Sequence, residues 1–279
     1  MRRAPTNLGR SHVHAVDGLD YALADGVATI TLNRPEKLNA IRWEMVHGIT
    51  DWVTEAGRDP DVRIVVITGA GRAFSSGDDI VGGMGDEYSR EPADRLARST
   101  TRGAHYRLIK SLLSAPKPIV AALNGRCHGA GWVIALASDF RVARTDALIG
   151  DIRSAKAIFA NQGVGLMLPK LIGASRAMDL LMTGRIIDAA EAERFGIVVR
   201  LWEPEAWDGE LSAFVRDLAA GPTRTFAAWK ASVNRTVLME LDAYTDHENL
   251  LNAALIGNPD TLEGVASFKE RREPHFTGR

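Results

Sequence analysis

Two stretches of small residues hold the chemistry most legible in this chain: Phe74-Ser75-Ser76-Gly77-Asp78-Asp79-Ile80 and Asn124-Gly125-Arg126-Cys127-His128-Gly129-Ala130-Gly131. Each follows an apolar run that reads as a buried strand, Ile64 to Thr68 and Pro118 to Leu123. Each then turns on small side chains, and after the second a helix is expected to begin. Turns of this kind aim backbone N–H groups into open space and let a ligand approach the main chain closely. Two such donors meeting at one point form an oxyanion hole, which stabilises negative charge growing on a carbonyl oxygen. The pattern predicts an enzyme built around that device.

Other chemistries fit these residues less well. Gly69-Ala70-Gly71 follows a strand as a dinucleotide-binding turn would, but the third glycine position is Phe74 and no clear acidic partner follows. His128-Gly129-Ala130-Gly131 is similar to an esterase oxyanion loop, yet no Gly-x-Ser-x-Gly elbow supplies a nucleophile. Cys127 has no motif partner and reads as a buried thiol. The seven histidines, His12 and His14 among them, show no metal-binding spacing, so no metal is expected. Tight strand-to-helix packing without chemistry would account for either turn alone.

The elements that must position the turns are regular. Tyr21 to Ala24 and Val27 to Leu32 flank Asp25-Gly26 as a hairpin. Val46, Ile49, Val53 and Ala56 recur at helical steps, and that helix is expected to end near Gly57. A polar segment spans Gly82 to Arg98, followed by a helix to Leu113 that Pro116 stops. Trp132 to Ala137 reads as a short apolar helix and Asp139 to Ala143 as a strand. After Val198 to Leu201 the β-pattern fades, and Pro204, Pro222 and Pro259 mark helix starts. The fold class is therefore α/β followed by a helical region, divided as a polar tail over 1–17, a core over 18–203 and helices over 204–279.

Composition narrows the partners. A net charge of −1 gives no electrostatic reason to expect nucleic acid or an anionic membrane. Apolar runs are broken by Asn124, Arg126, His128 and Asp139, so no span is expected. Arg2-Arg3 lacks the apolar stretch of an export signal, and a single cysteine suits a reducing cytosol. A cytoplasmic location is the expectation.

The chain resembles the crotonase superfamily, also called the enoyl-CoA hydratase/isomerase family. The resemblance rests on Thr31 to Ile41, Ala73 to Ile80, Ala115 to Gly125, Ser138 to Ala143, Leu168 to Gly173, Leu181 to Gly184 and Ala189 to Ala192, and it covers roughly residues 20 to 279. It implies a spiral of ββα turns with a C-terminal helical region, assembled as a homotrimer or a dimer of trimers. It also implies an acyl-CoA thioester substrate, an enolate-like intermediate and no cofactor beyond the coenzyme A of that substrate. By motif position the oxyanion donors would be the N–H groups of Ser76 and Ala130. Lys37, Ala40 and the run Ser76, Gly77, Asp78, Asp79 and Ile80 would line the coenzyme path, Asp79 in a structural role. Phe268 and Arg271 would reach adenine and phosphate.

The pattern breaks at the two glutamates that hydratases of this family use. Their positions hold Val133 and Arg153, neither of which exchanges a proton at useful pH. Asp151 and Asn161 remain as candidates for the chemistry, Asp151 alternatively pairing with Arg153 or capping a turn. Arg153 could clamp a substrate carboxylate, and Trp132 beside Val133 would form an apolar wall suited to a bulky or cyclic acyl group. His128 reads as a packed core histidine, and Asp86, Glu87, Tyr88 and Glu91 as a solvated loop able to swing over the acyl group. Carbon–carbon cleavage, decarboxylation, hydrolysis or isomerisation is therefore expected ahead of hydration. The rival expectation is a catalytically silent acyl-CoA-binding protein.

Overall fold

The computed structural model describes residues 14–82 and 103–278. Most of the N-terminal tail, His12, and the loop residues Asp86, Glu87, Tyr88 and Glu91 lie outside them. Strands β1 (Leu19–Ala24) and β2 (Val27–Leu32) form the expected hairpin. Asp25 and Gly26 both take left-handed backbone angles, as a two-residue hairpin turn requires. Helix α1 (Trp43–Arg58) follows, then β3 (Ile64–Gly69), β4 (Ala73–Ser75) and α2 (Ala104–Ser114). The chain continues through β5 (Ile119–Leu123), β6 (Arg126–His128), α3 (Gly129–Ala137), β7 (Phe140–Arg144), β8 (Leu148–Gly150) and α4 (Val164–Ile172).

From β3 onward this order is a three-fold repeat of strand, strand, helix. The first strand of each unit joins a six-stranded sheet, β1-β2-β3-β5-β7-β10, and the second joins a four-stranded sheet, β4-β6-β8-β9. All pairings between repeat strands are parallel, so the chain winds the same way at each turn. That is the ββα spiral expected. After α5 (Ala174–Thr183), β9 (Ile187–Asp188), α6 (Ala189–Arg194) and β10 (Arg200–Trp202), the chain turns helical. Four helices complete it: α7 (Trp207–Ala220), α8 (Thr223–Val233), α9 (Arg235–Leu255) and α10 (Pro259–Glu270).

The large sheet is buried on both faces, which is why its strands read as unbroken apolar runs. Val65 and Ile67 face a core with Met45, Ile49 and Trp52 of α1, whereas Ile64 and Val66 pack against Trp207, Val215 and Ala219 of α7. Two expectations change. The turns after β3 and β5 contain the three-residue strands β4 and β6, too short to leave a periodic signal. Helix α3 begins at Gly129 rather than Trp132, and all nine of its residues are buried, which erases any amphipathic pattern. Among the described residues no helix is long and apolar enough to cross a membrane.

Candidate active site

The first turn is braced from behind by residues 38–41. Leu38 and Asn39 both adopt left-handed angles. The fully buried Asn39 amide accepts from Arg34 N–H and donates to the carbonyls of Ala70 and Ala73. This fold-back presents Leu38 O to Ser76, whose N–H donates to it at 2.9 Å. The expectation that Ser76 offers a free donor is thereby corrected: its N–H is already bonded. Further along, Ile41 N–H donates to Gly77 O and Asp79 N–H donates to Ile41 O, both at 2.8 Å. In such a parallel bridge the intervening residue points its own N–H the opposite way. That residue is Asp78, and its N–H meets no acceptor among the described residues. The Asp79 carboxylate holds Arg34 at 2.8 Å, and Arg34 also donates to Ala40 O, so this side chain is part of the brace.

The second turn comes up against the first through two glycines. Gly77 and Gly129 both have positive φ, +101° and +52°. A methyl group at Gly77 would sit 3.2 Å from Gly129 Cα and 3.5 Å from Ala130 N. One at Gly129 would sit 3.1 Å from Gly77 Cα and 3.9 Å from Asp78 N. The N–H groups of Asp78 and Ala130 therefore flank the same contact. Ala130 is the second residue of α3, where backbone N–H groups have no intrahelical acceptor and the helix dipole favours negative charge.

Next to this backbone wall lies a floor of polar side chains, of which Asp151, Arg153 and Glu248 are buried and Asp78, His105 and Gln162 half-buried. Arg153 donates from Nε and Nη2 to the two Asp151 carboxylate oxygens, at 2.8 and 2.6 Å, and both residues are buried. Asp151 also accepts Arg153 N–H, so it is the partner of Arg153 rather than an available base. Arg153 Nη1 donates to Gln162 Oε1 at 3.2 Å, which leaves its guanidinium built into the floor rather than offered as a clamp. The Asp78 carboxyl lies 3.3 Å from His105 Nε2, and His105 rests against the Trp43 ring. Burial pushes the Asp78 pKa up, but His105, Arg153 and Gln162 outweigh it and hold the group below the ordinary carboxylate range.

Glu248, from α9, closes the floor at 2% exposure. Its Oε2 accepts Gly163 N–H at 2.8 Å, while Oε1 is buried without a hydrogen-bond partner among the described residues. Burial raises its pKa to about 7 against the lowering influence of that N–H, of Arg153 and of the Gln162 backbone N–H. His128 is held neutral, its pKa lowered to about 4 chiefly by burial and secondarily by Arg126.

The remaining expected residues divide between this site and its margins. Trp132 and Val133 are buried in α3, within the main core. Asn161 is half-buried on the turn before Gln162. Ala40 is buried behind the first turn, Ile80 is half-buried and Lys37 is exposed beside Ser76. Phe268 and Arg271 are exposed at the end of α10, which packs on the 154–156 turn. Burial raises the Cys127 pKa, as befits an inert thiol. The sequence reading missed His105, Gln162 and Glu248 as site residues, and assigned Asp78 no donor role. No motif spacing links them; only the left-handed backbone at Gln162, φ +75°, marks one as special.

Comparison with known proteins adds an independent finding. The family profile described as Enoyl-CoA hydratase/isomerase matches residues 23–279. A probable enoyl-CoA hydratase of Rhodobacter capsulatus is 33% identical, over 93% of this chain and 97% of its own. The 1,2-epoxyphenylacetyl-CoA isomerase of Escherichia coli is 32% identical over 91% of this chain and 96% of its own. The crystal structure of an enoyl-CoA hydratase from Mycobacterium avium subsp. paratuberculosis superimposes with a TM-score of 0.81 at 31% identity, covering 94% of this chain and 100% of that one.

Proposed function

Because the chain belongs to the enoyl-CoA hydratase/isomerase family, we propose that it binds an acyl-CoA thioester and draws charge onto the thioester oxygen between the N–H groups of Asp78 and Ala130. The observation that carries this reading is the contact between Gly77 and Gly129, with the Asp78 and Ala130 nitrogens beside it. A developing enolate oxygen there would gain two hydrogen bonds and the positive end of α3. Each such bond is worth roughly 3 kcal/mol of transition-state stabilisation.

The coenzyme would lie along Lys37, Ala40 and the run from Gly77 to Ile80, with Phe268 and Arg271 toward its adenine and phosphates. Lys37 is an exposed cation beside the first turn, which suits a phosphate contact. Exposed Trp229, Val233 and Met239 on α8 and α9 support assembly with further copies of the chain.

Within this class, reactions that lean on anion stabilisation and one acid–base group fit better than hydration by a carboxylate pair. Val133 is apolar and Arg153 is bound to Asp151, so neither offers a carboxylate. Isomerisation, decarboxylation, carbon–carbon cleavage and hydrolysis remain. The test is to incubate the protein with enoyl-, β-keto- and malonyl-type CoA esters and follow products by mass. Conversion of one ester supports the reading. Tight binding with every ester returned unchanged would instead make the chain a silent acyl-CoA binder. Hydration of crotonyl-CoA at an ordinary enzymatic rate would overturn the demotion of hydration.

A further inference from the structure

We propose that Glu248 is the proton carrier of this site, taking a proton from one acyl carbon and returning it to another while the two backbone donors hold the thioester oxygen. The inference rests on the acyl-CoA reading above and deepens it.

Three carboxyls belong to the floor, and geometry separates them. Asp151 has both oxygens on Arg153, and Asp78 faces His105. Asp78 Oδ1 and Glu248 Oε1 are both buried without a hydrogen-bond partner among the described residues, but Asp78 Oδ1 has the His105 ring nitrogen 3.3 Å away, whereas Glu248 has its other oxygen anchored by Gly163 N–H and no cation paired with it. A buried polar atom left so is costly unless something else completes it, and a substrate C–H or a bound water would. The anchoring bond fixes the carboxyl in place, and Arg153 and Gln162 tie it to Asp78, whose N–H is one of the proposed donors.

The charges packed around α9 leave this carboxyl poised. From α2, Tyr106 and Lys110 face Asp242; from α4, Lys170 pairs with Glu240; from α8, Lys230 pairs with Asp139. On α9 itself Tyr244 stays protonated, its pKa raised to about 12 by burial and then by Glu248. The cation that acts on Glu248 is Arg153, which Asp151 largely neutralises. Glu248 therefore exchanges its proton near neutrality, where a general base is most effective.

Isomerisation is the reaction that needs nothing more. With a 3-enoyl thioester, ionised Glu248 accepts the α-proton, and the C–H electron pair enters a dienolate whose charge rests on the thioester oxygen. The carboxyl then returns the proton to the γ-carbon. The 2-enoyl thioester leaves and the carboxylate is regenerated, with no oxidant, reductant or metal consumed.

The experiment compares full-length wild type with Glu248→Gln on a 3-enoyl-CoA in deuterated water, reading deuterium incorporation by mass and ester affinity by calorimetry. Wild type should incorporate deuterium at a rate that rises through neutral pH to a plateau. Glu248→Gln should lose at least ~10²-fold in rate and keep its affinity within about threefold. Exchange by Glu248→Gln at the wild-type rate would overturn the proposal, as would a wild-type profile flat across neutrality. If Glu248→Gln does not fold, Glu248→Asp and the wild-type profile decide in its place. Wild type that binds the ester without exchanging sinks this inference alone; wild type that binds no acyl-CoA sinks the acyl-CoA reading itself.

Discussion

The wall and the floor of this site work by opposite means. In the proposed reaction the wall, made of the two glycine turns, would act through main-chain N–H groups, so its side chains would matter only by being small. The floor, made of Asp78, His105, Asp151, Arg153, Gln162 and Glu248, would act through side chains in a charged network that is partly buried and partly half-buried. Steric changes should therefore injure the wall's function with modest effect on folding. Changes of charge should disturb the floor's stability and its pH response.

The largest effect is expected from Arg153→Met, which strands the buried Asp151 carboxylate. Removing one partner of such a pair costs about 3–5 kcal/mol, visible as a large fall in Tm. Pairing it with Asp151→Leu should restore most of the loss, and failure to do so would mean that the pair is not an isolated unit. Next comes Gly77→Val, which forces a side chain against Gly129 at a positive φ. Turnover should fall by ~10²–10³ as the donors separate; unchanged turnover would remove this contact from the mechanism.

A pH titration sharpens the contrast. The Glu248 pKa lies at about 7 in the fold against 4.5 as its ordinary value. Its proton uptake on folding stabilises the protein fully below the unfolded pKa, and that contribution is lost as pH rises through about 7. Relative to Glu248→Gln, wild type should lose roughly 2–3 kcal/mol between about pH 5 and about pH 8 in denaturant melts. Parallel stability curves would show that Glu248 does not titrate there. The smallest effect belongs to Ser76→Ala, since the backbone N–H is bonded to Leu38 O and the hydroxyl makes only a 3.4 Å contact with Lys37 O. Stability should stay within about 0.5 kcal/mol and turnover unchanged, whereas a tenfold loss of turnover would give the Ser76 hydroxyl a part in the reaction that this division denies to side chains of the wall.

The same division explains what could be read from the sequence. The wall was legible because close backbone approach demands small residues at fixed places after buried strands, and Gly77, Gly129 and Gly131 stand there. The donor within the first turn was misassigned by two residues, because hydrogen-bond direction depends on the bridge to Ile41, which no local pattern encodes. The strands of the large sheet were legible from their apolar runs; β4, β6 and the start of α3 were not, being short or buried all round. The floor was legible only in part: Asp78, Asp151 and Arg153 stand in the matched motifs, and the pairing of Asp151 with Arg153 was one of the alternatives they offered. His105, Gln162 and Glu248 come from separate elements, and as isolated letters each is an ordinary polar residue. Only the spiral and the return of α9 bring them together.

The parallel pairing of β4 with β6 has a metric consequence. Adjacent strands in a sheet run about 4.8 Å apart, and the two proposed donors follow within three residues of the ends of this pair. An oxygen about 2.9 Å from each of two nitrogens at that spacing would subtend an angle of roughly 110°, near that between carbonyl lone pairs. If the donors keep that spacing, the proposed aperture would be gauged by the same lattice that knits the sheet, and no side chain would have to measure it.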